Sequence, residues 1–126
     1  MIWTLLQVAA GGAVGASARF LTGIAVVRLV GFGALPMGVL VANILGSTIM
    51  GALVVFFGQR GLTHLNPLLI TGFLGGYTTF SAFSLETWTL LERGQTGLAA
   101  GYVLLSVGLS LGGLFAGVWA MRMVLA

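Results

Sequence analysis

The sequence is poor in the residues that carry charge. Among its 126 positions it has no cysteine, two acidic residues, one histidine and five basic residues. The lack of cysteine excludes disulfides and leaves the cellular compartment open. With 6% charged and 59% hydrophobic residues, the chain cannot cover a water-soluble globule with charge. We therefore expect an integral membrane protein whose apolar surface is covered by the lipid bilayer.

The same scarcity argues against an enzyme. The single histidine, His64, stands alone in a predicted loop, and no nucleophile is placed beside a base. No group of side chains has the spacing of a metal site built from His, Cys, Asp or Glu. We predict that the protein is not an enzyme and has no nucleic-acid partner.

Four apolar stretches are long enough to cross a bilayer. They cover residues 2–27, 37–57, 66–91 and 96–123. A membrane-spanning helix needs about 20 residues, so the four stretches predict one all-α membrane domain over residues 1–126. The first stretch lacks a basic leading segment and is too long for a signal peptide, so we expect a retained helix. Short connections make consecutive helices antiparallel neighbours and place both termini on one side.

The basic residues, all arginines, are balanced across the predicted membrane. Arg60 and Arg122 fall on the side of the termini, and Arg28 and Arg93 fall on the other side. Because the Lys/Arg bias of short loops sets orientation, this tie allows insertion in both orientations and pairing of opposite copies. The alternative is a single orientation set by the free amino terminus.

A polar segment interrupts the third stretch. Residues 72–84 contain Gly75 and Gly76, followed by Thr78 and Thr79. In hydrocarbon such a break is tolerable only where it is buried in protein or lines a wet cavity. We predict that the third helix is broken at its centre, at the glycine pair, and borders a pathway or binding site. The carbonyls freed by the break are typical ligands of Na⁺. The alternative is a kinked helix in which neighbouring Ser and Thr hydroxyls donate to these carbonyls.

Polar stripes on two other helices can face this segment. Asn43 lies near the middle of the second stretch, and the fourth carries Tyr102, Ser106 and Ser110 at helical spacing. A serine in a membrane helix often bonds its own i−4 carbonyl instead, and that alternative stays open for each serine. An asparagine at mid-bilayer is more costly, and the coincidence of three stripes favours a lined pathway.

The groups along this pathway favour an anion, because most of them are hydrogen-bond donors. Phe80 and Phe83 share a helix face and can present electropositive ring edges, with core packing as the alternative. Arg19 is the one cation inside a predicted span and is either functional or reaches the interface. Glu86 lies near the end of the third stretch, where we expect a water-filled vestibule.

Small residues spaced four apart predict close helix contacts and an oligomer. They are Gly11 and Gly15 in the first stretch, Gly38, Ala42 and Gly46 in the second, and Gly108, Gly112, Ala116 and Ala120 in the fourth. A structural subunit without transport would need only these faces. That reading leaves Asn43 and the polar third stretch unexplained.

Three segments resemble the three motifs of the Fluc/CrcB fluoride channels of bacteria: residues 11–20, 38–51 and 72–84. The last segment contains three glycines, two threonines and the Phe80–Phe83 pair. The resemblance covers essentially the whole chain. It implies a passive fluoride channel of the bacterial inner membrane that exports fluoride accumulating when HF enters from acidic surroundings. It also implies an antiparallel, dual-topology homodimer with two pores at the interface.

The resemblance further implies roles for individual residues. Phe80 and Phe83 would contact fluoride with their ring edges, Asn43 would donate to it, and Arg19 would lie near the vestibule. The polar track would comprise Ser81, Ser84, Tyr102, Ser106 and Ser110, and we include Thr79 and Glu86 in the pathway. Backbone carbonyls of Gly75 and Thr78 from both subunits would hold a central Na⁺. Ala82 stands where the family often has Thr, so one hydroxyl of the track is missing.

A small multidrug transporter is the competing class, since it also has four short helices and balanced charges. Proton exchange for cationic drugs requires a membrane-embedded carboxylate in the first helix. The first stretch contains Arg19 and neither Asp nor Glu, which argues against this class.

Overall fold

The computed structural model describes residues 1–126 and contains only helices and their connections. The elements are α1 (Ile2–Val30), α2 (Met37–Arg60), a 3₁₀ turn (Thr63–Leu65), a π-helix (Asn66–Leu74), α3 (Gly75–Tyr77), α4 (Phe80–Glu92) and α5 (Thr96–Leu125). Counting the run Thr63–Glu92 as one span, four helices are long and apolar enough to cross a membrane. The predictions of an all-α chain and of four spans are confirmed.

Each reversal of the chain contains a glycine in the left-handed region. Gly31 follows α1, Gly61 follows α2 and Gly94 follows α4, with φ values of 74°, 68° and 74°. Only glycine adopts this conformation without strain, so these residues end the helices. The three reversals place Arg28 and Arg93 at one end of the bundle and Arg60 and Arg122 at the other, as the sequence predicts.

Two close helix pairs build the bundle. α1 packs on the π-helix and α3, and α2 packs along α5. A Cβ added at Gly11 or Gly15 would overlap backbone of the third span, so the small face predicted on α1 is a contact face. On α5 the predicted face makes no contact within the subunit: Gly108 and Gly112 meet nothing within 4 Å, whereas Gly113 and Gly117 approach α2. Contact of the Gly108 face with another subunit stays a prediction. Both sets have small-residue spacing, which alone cannot tell them apart.

The third span leaves the helical conformation later than expected. Gly75 is helical, with φ −62° and ψ −36°, so the predicted position of the break is wrong. Thr78 and Thr79, the extended dipeptide, have φ/ψ of −87°/158° and −153°/120°. Gly76 instead allows the third span to pack closely on α1, because a Cβ at this position would lie 2.6 Å from the Gly12 carbonyl oxygen.

The buried core is small and lies beside the extended dipeptide. It comprises Leu40, Phe83, Leu90, Ala99 and Tyr102. Many large apolar side chains of all four spans remain exposed, among them Trp3, Phe20, Trp88, Phe115 and Trp119. Such a surface belongs in a bilayer, so the chain is a multi-pass membrane protein.

Candidate functional site

One side chain pairs with both backbone groups of Thr79. The Asn43 Nδ2 donates to the Thr79 carbonyl oxygen at 3.0 Å. The Thr79 N–H donates to Asn43 Oδ1 at 2.8 Å. These two bonds replace the helical partners that the extended residue lost, which is the condition for irregular backbone at membrane depth. α2 therefore fixes the start of α4.

The carbonyl of Thr78 has no such partner. It accepts no hydrogen bond from the backbone, whereas the Thr78 hydroxyl donates to the Leu74 carbonyl oxygen at 2.9 Å. The carbonyl of Gly75 loses the donor that a continuous helix would supply, because the Thr79 N–H is bonded to Asn43. The Leu74 carbonyl also accepts from the Thr78 N–H at 3.0 Å, so the Thr78 hydroxyl bonds a carbonyl that already has a partner. Bonding by neighbouring hydroxyls, the alternative considered for the break, therefore leaves the Thr78 carbonyl free.

The dipeptide borders a cavity of about 310 Å³, called here the inner cavity. Its lining includes Asn43, Ser47, Thr78, Thr79, Phe80, Phe83, Ser106 and Ser110. The hydroxyl oxygens of Ser106 and Ser110 are buried and have no hydrogen-bond partner. Because buried polar groups are normally paired, these hydroxyls are free to bind something that enters the cavity. The i−4 alternative is therefore wrong for these two serines.

The phenylalanines lie at the mouth of the inner cavity. The rings of Phe80 and Phe83 meet nearly edge to face, with centroids 5.4 Å apart and planes at 66°. Phe83 is 8% exposed and packs on Tyr102, whereas Phe80 is 76% exposed. Core packing explains Phe83 in part. Core packing does not explain Phe80, because its ring contacts the Phe83 ring and is otherwise mostly exposed.

A second cavity of about 390 Å³, called here the outer cavity, opens at the end of the bundle between α1 and α4. Arg19, Glu86 and Arg93 line it together with the loop after α1. Tyr102 donates to Glu86 Oε2 at 2.8 Å, and Phe83 contacts the Tyr102 ring. Glu86 and Tyr102 therefore lie between the two cavities.

Three predicted pathway residues, Ser81, Ser84 and Tyr102, line neither cavity. Ser84 is exposed and donates to the Phe80 carbonyl oxygen at 3.0 Å, and exposed Ser81 lies 3.2 Å from the Thr79 hydroxyl. Ser84 thus follows the i−4 alternative. Tyr102 connects the two cavities, and the remaining predicted pathway residues line one of them. The sequence analysis did not assign Arg93 to the site, because its position in a predicted loop indicated only an effect on the orientation of the chain in the membrane.

The arrangement defines a multi-pass membrane protein with two polar cavities between its helices. Residues 6–118 match the family described as CrcB-like protein, Camphor Resistance (CrcB). The chain is 57% identical over 125 residues to "Fluoride-specific ion channel FluC" of Ruegeria sp. (strain TM1040), covering 99% of each chain. It is 59% identical over 122 residues to the protein of the same name from Cereibacter sphaeroides (strain ATCC 17029 / ATH 2.4.9), covering 97% of each.

A third relative of that name, from Roseobacter denitrificans (strain ATCC 33942 / OCh 114), is 58% identical over 120 residues and covers 94% of this chain and 95% of its own. The chain therefore belongs to the CrcB family. This family consists of ion channels, not enzymes. The resemblance inferred from three segments of the sequence is confirmed.

Replacing Asn43 by Leu tests the pairing with Thr79. Leu has a similar volume but leaves the N–H and C=O of Thr79 unpaired, and each such group costs roughly 1–3 kcal/mol. We expect a lower thermal midpoint and faster amide exchange in the peptide spanning residues 76–82. Ser47→Ala, one turn later on the same cavity wall, is the control and should change neither. Equal exchange in the Asn43→Leu and wild-type proteins would contradict the pairing.

Proposed function

We propose that this protein is a fluoride-selective passive channel of the bacterial inner membrane that exports fluoride. One observation carries the proposal: the unpaired hydroxyls of Ser106 and Ser110 share the inner cavity with Asn43 and the Phe80–Phe83 pair. The printed names of the relatives state fluoride specificity. Export limits the fluoride that accumulates when HF enters from acidic surroundings.

Selectivity follows from the chemistry of this lining. Fluoride is a small anion and a strong hydrogen-bond acceptor, so hydroxyl and amide donors can replace its water. One N–H of Asn43 is used by Thr79, and the second is left for the anion. The ring edges of Phe80 and Phe83 carry the positive part of the quadrupole and add attraction without a fixed charge. A larger anion gains less from each donor and does not fit between ring edges.

The proposed route joins the two cavities. An anion enters the outer cavity, where Arg19 and Arg93 offset the charge of Glu86. It then passes the hydroxyl of Tyr102 and the edge of Phe83 to reach Ser106 and the inner cavity. Thr79 contributes through the N-terminus of α4, whose dipole is positive there. Ser81 and Ser84 stay in the proposal as residues that an adjacent subunit could bring to the route.

A second, antiparallel copy would complete this route, giving two pores per dimer. Phe80 is exposed beside a polar cavity, and a second subunit packed there would separate that cavity from the lipid. Gly75 is also exposed. The balanced arginines at the two ends of the bundle support insertion in both orientations.

We infer that the extended dipeptide also contributes to a Na⁺ site on the dimer axis. The free carbonyl of Thr78 is the observation that fits, since Na⁺ at the centre of membrane bundles is coordinated by unwound carbonyls. With the Gly75 carbonyl, two subunits would supply four oxygen ligands. A bound cation would supply positive charge that offsets the cost of an anion in a low-dielectric region.

The ring-edge contact predicts that Phe80→Ile and Phe83→Ile lower fluoride efflux from liposomes by at least about tenfold, a difference of about 1.4 kcal/mol in barrier. Ile keeps the apolar bulk, so the fold should lose only about 1–2 kcal/mol. Phe115→Ile, on an exposed position of α5, is the matched control and should conduct like the wild type. Full flux in well-folded Phe80 and Phe83 variants would show that the rings only pack.

The dual-topology proposal predicts that a C-terminal tag is labelled from both sides of the membrane. Gln59→Arg and Gln95→Arg add one positive charge at opposite ends of the bundle and should bias insertion in opposite directions. Each variant alone should lose most fluoride flux, and co-expression of the two should restore it. Single-sided labelling of the fully active wild type would reject the proposal.

The sodium proposal predicts that replacing Na⁺ by a large organic cation on both faces lowers fluoride flux and dimer stability. The carbonyl ligands hold a small hard cation, which an organic cation cannot replace. The same ion exchange applied to the empty liposomes controls for leak. Unchanged flux and unchanged dimer stability would mean that no functional Na⁺ site exists.

A further inference from the structure

A buried tyrosine anchors the residue before the extended dipeptide. Tyr77 is 7% exposed, and its hydroxyl lies 2.8 Å from the Thr22 hydroxyl of α1. The Thr22 hydroxyl lies 3.0 Å from the Ala18 carbonyl oxygen and donates its proton there. The proton between the two hydroxyls therefore comes from Tyr77. A chain of two hydrogen bonds ties Tyr77 to the backbone of α1.

The ring of Tyr77 has neighbours in two parts of the chain. It stacks on Phe73, with planes at 5° and centroids 6.1 Å apart. A Cβ on Gly46 of α2 would lie 3.2 Å from the Tyr77 ring, so α2 also approaches the ring. Contacts with Phe73 and α2 therefore limit the movement of the ring.

The same face of α1 contacts the preceding residue. Arg19, one turn before Thr22, donates from Nε to the Gly76 carbonyl oxygen at 3.4 Å. α1 thus holds Gly76 and Tyr77, while Asn43 of α2 holds Thr79. Thr78 lies between these two anchors. Because each peptide unit is planar, the bond from the Thr79 N–H to Asn43 sets the direction of the Thr78 carbonyl. The Tyr77 anchor sets the position of the residue from which the extended dipeptide starts.

We propose that Tyr77 is a positioning residue whose hydrogen bond to Thr22 holds the start of the extended dipeptide against α1 and, through it, sets the rate of ion passage. The effect on the rate rests on the function proposed above, whereas the effect on the position of the dipeptide does not. Without the hydroxyl, Tyr77 loses its tie to α1, and the extended dipeptide that follows it moves more freely relative to α1.

The test combines Tyr77→Phe, Thr22→Val and the double variant in the full-length protein. The two readouts are amide exchange over residues 76–82 and fluoride efflux from liposomes. Each single variant should speed local exchange and lower efflux by about two- to tenfold, the range that one net hydrogen bond corresponds to. The double variant should be no worse than the worse single variant, because both remove one bond.

Two further variants separate positioning from a general loss of stability. Thr22→Ser keeps the hydroxyl and should restore both readouts. Ser17→Ala removes an i−4 bond from the same helix and should change neither. Faster local exchange with unchanged efflux would overturn the role in ion passage. Unchanged local exchange in Tyr77→Phe, or additive losses in the double variant, would overturn the anchoring itself, whether or not the wild type conducts fluoride.

Discussion

The two hydrogen bonds between the Asn43 side chain and the backbone of Thr79 are the constraint on which the rest of the site depends. In a bilayer an unpaired N–H or C=O costs several kcal/mol, so the chain could not leave the helix at Thr78 without a polar partner at that depth. The asparagine provides both halves of the pairing. Once it is made, the Thr78 carbonyl is free and α4 restarts with Phe80 at the mouth of the inner cavity.

Close backbone approach makes this pairing geometrically attainable. A Cβ on Gly46 would overlap the Thr78 side chain, and a Cβ on Gly76 would lie 2.6 Å from the Gly12 carbonyl oxygen. Glycines therefore bring both α2 and α1 close to the break. A larger residue at Gly46 or Gly76 would displace the backbone or side chains beside the extended dipeptide and would disturb the Asn43–Thr79 pairing.

Much of the site could be predicted because a polar side chain in a membrane-spanning segment costs free energy and therefore indicates a specific role. Asn43 and the hydroxyls of Ser106 and Ser110 are costly in hydrocarbon, and all three line one cavity. The position of the break could not be predicted, since glycine permits both a break and a tight helix contact. The i−4 bond of Ser84 could not be predicted, because a serine in a membrane helix can either bond its own helix or face a cavity. Tyr77 was missed because its partner on α1 is 55 residues away.

The conformation of the two threonines in a bilayer tests the account most directly. In protein labelled with ¹³C and ¹⁵N at threonine and reconstituted in lipid, the Cα and Cβ chemical shifts report φ and ψ of each threonine. The account predicts extended-type shifts for Thr78 and Thr79 and helical shifts for Thr48 and Thr87. Helical shifts at both Thr78 and Thr79 would mean that the third span continues unbroken, and the site described around Asn43 would not exist.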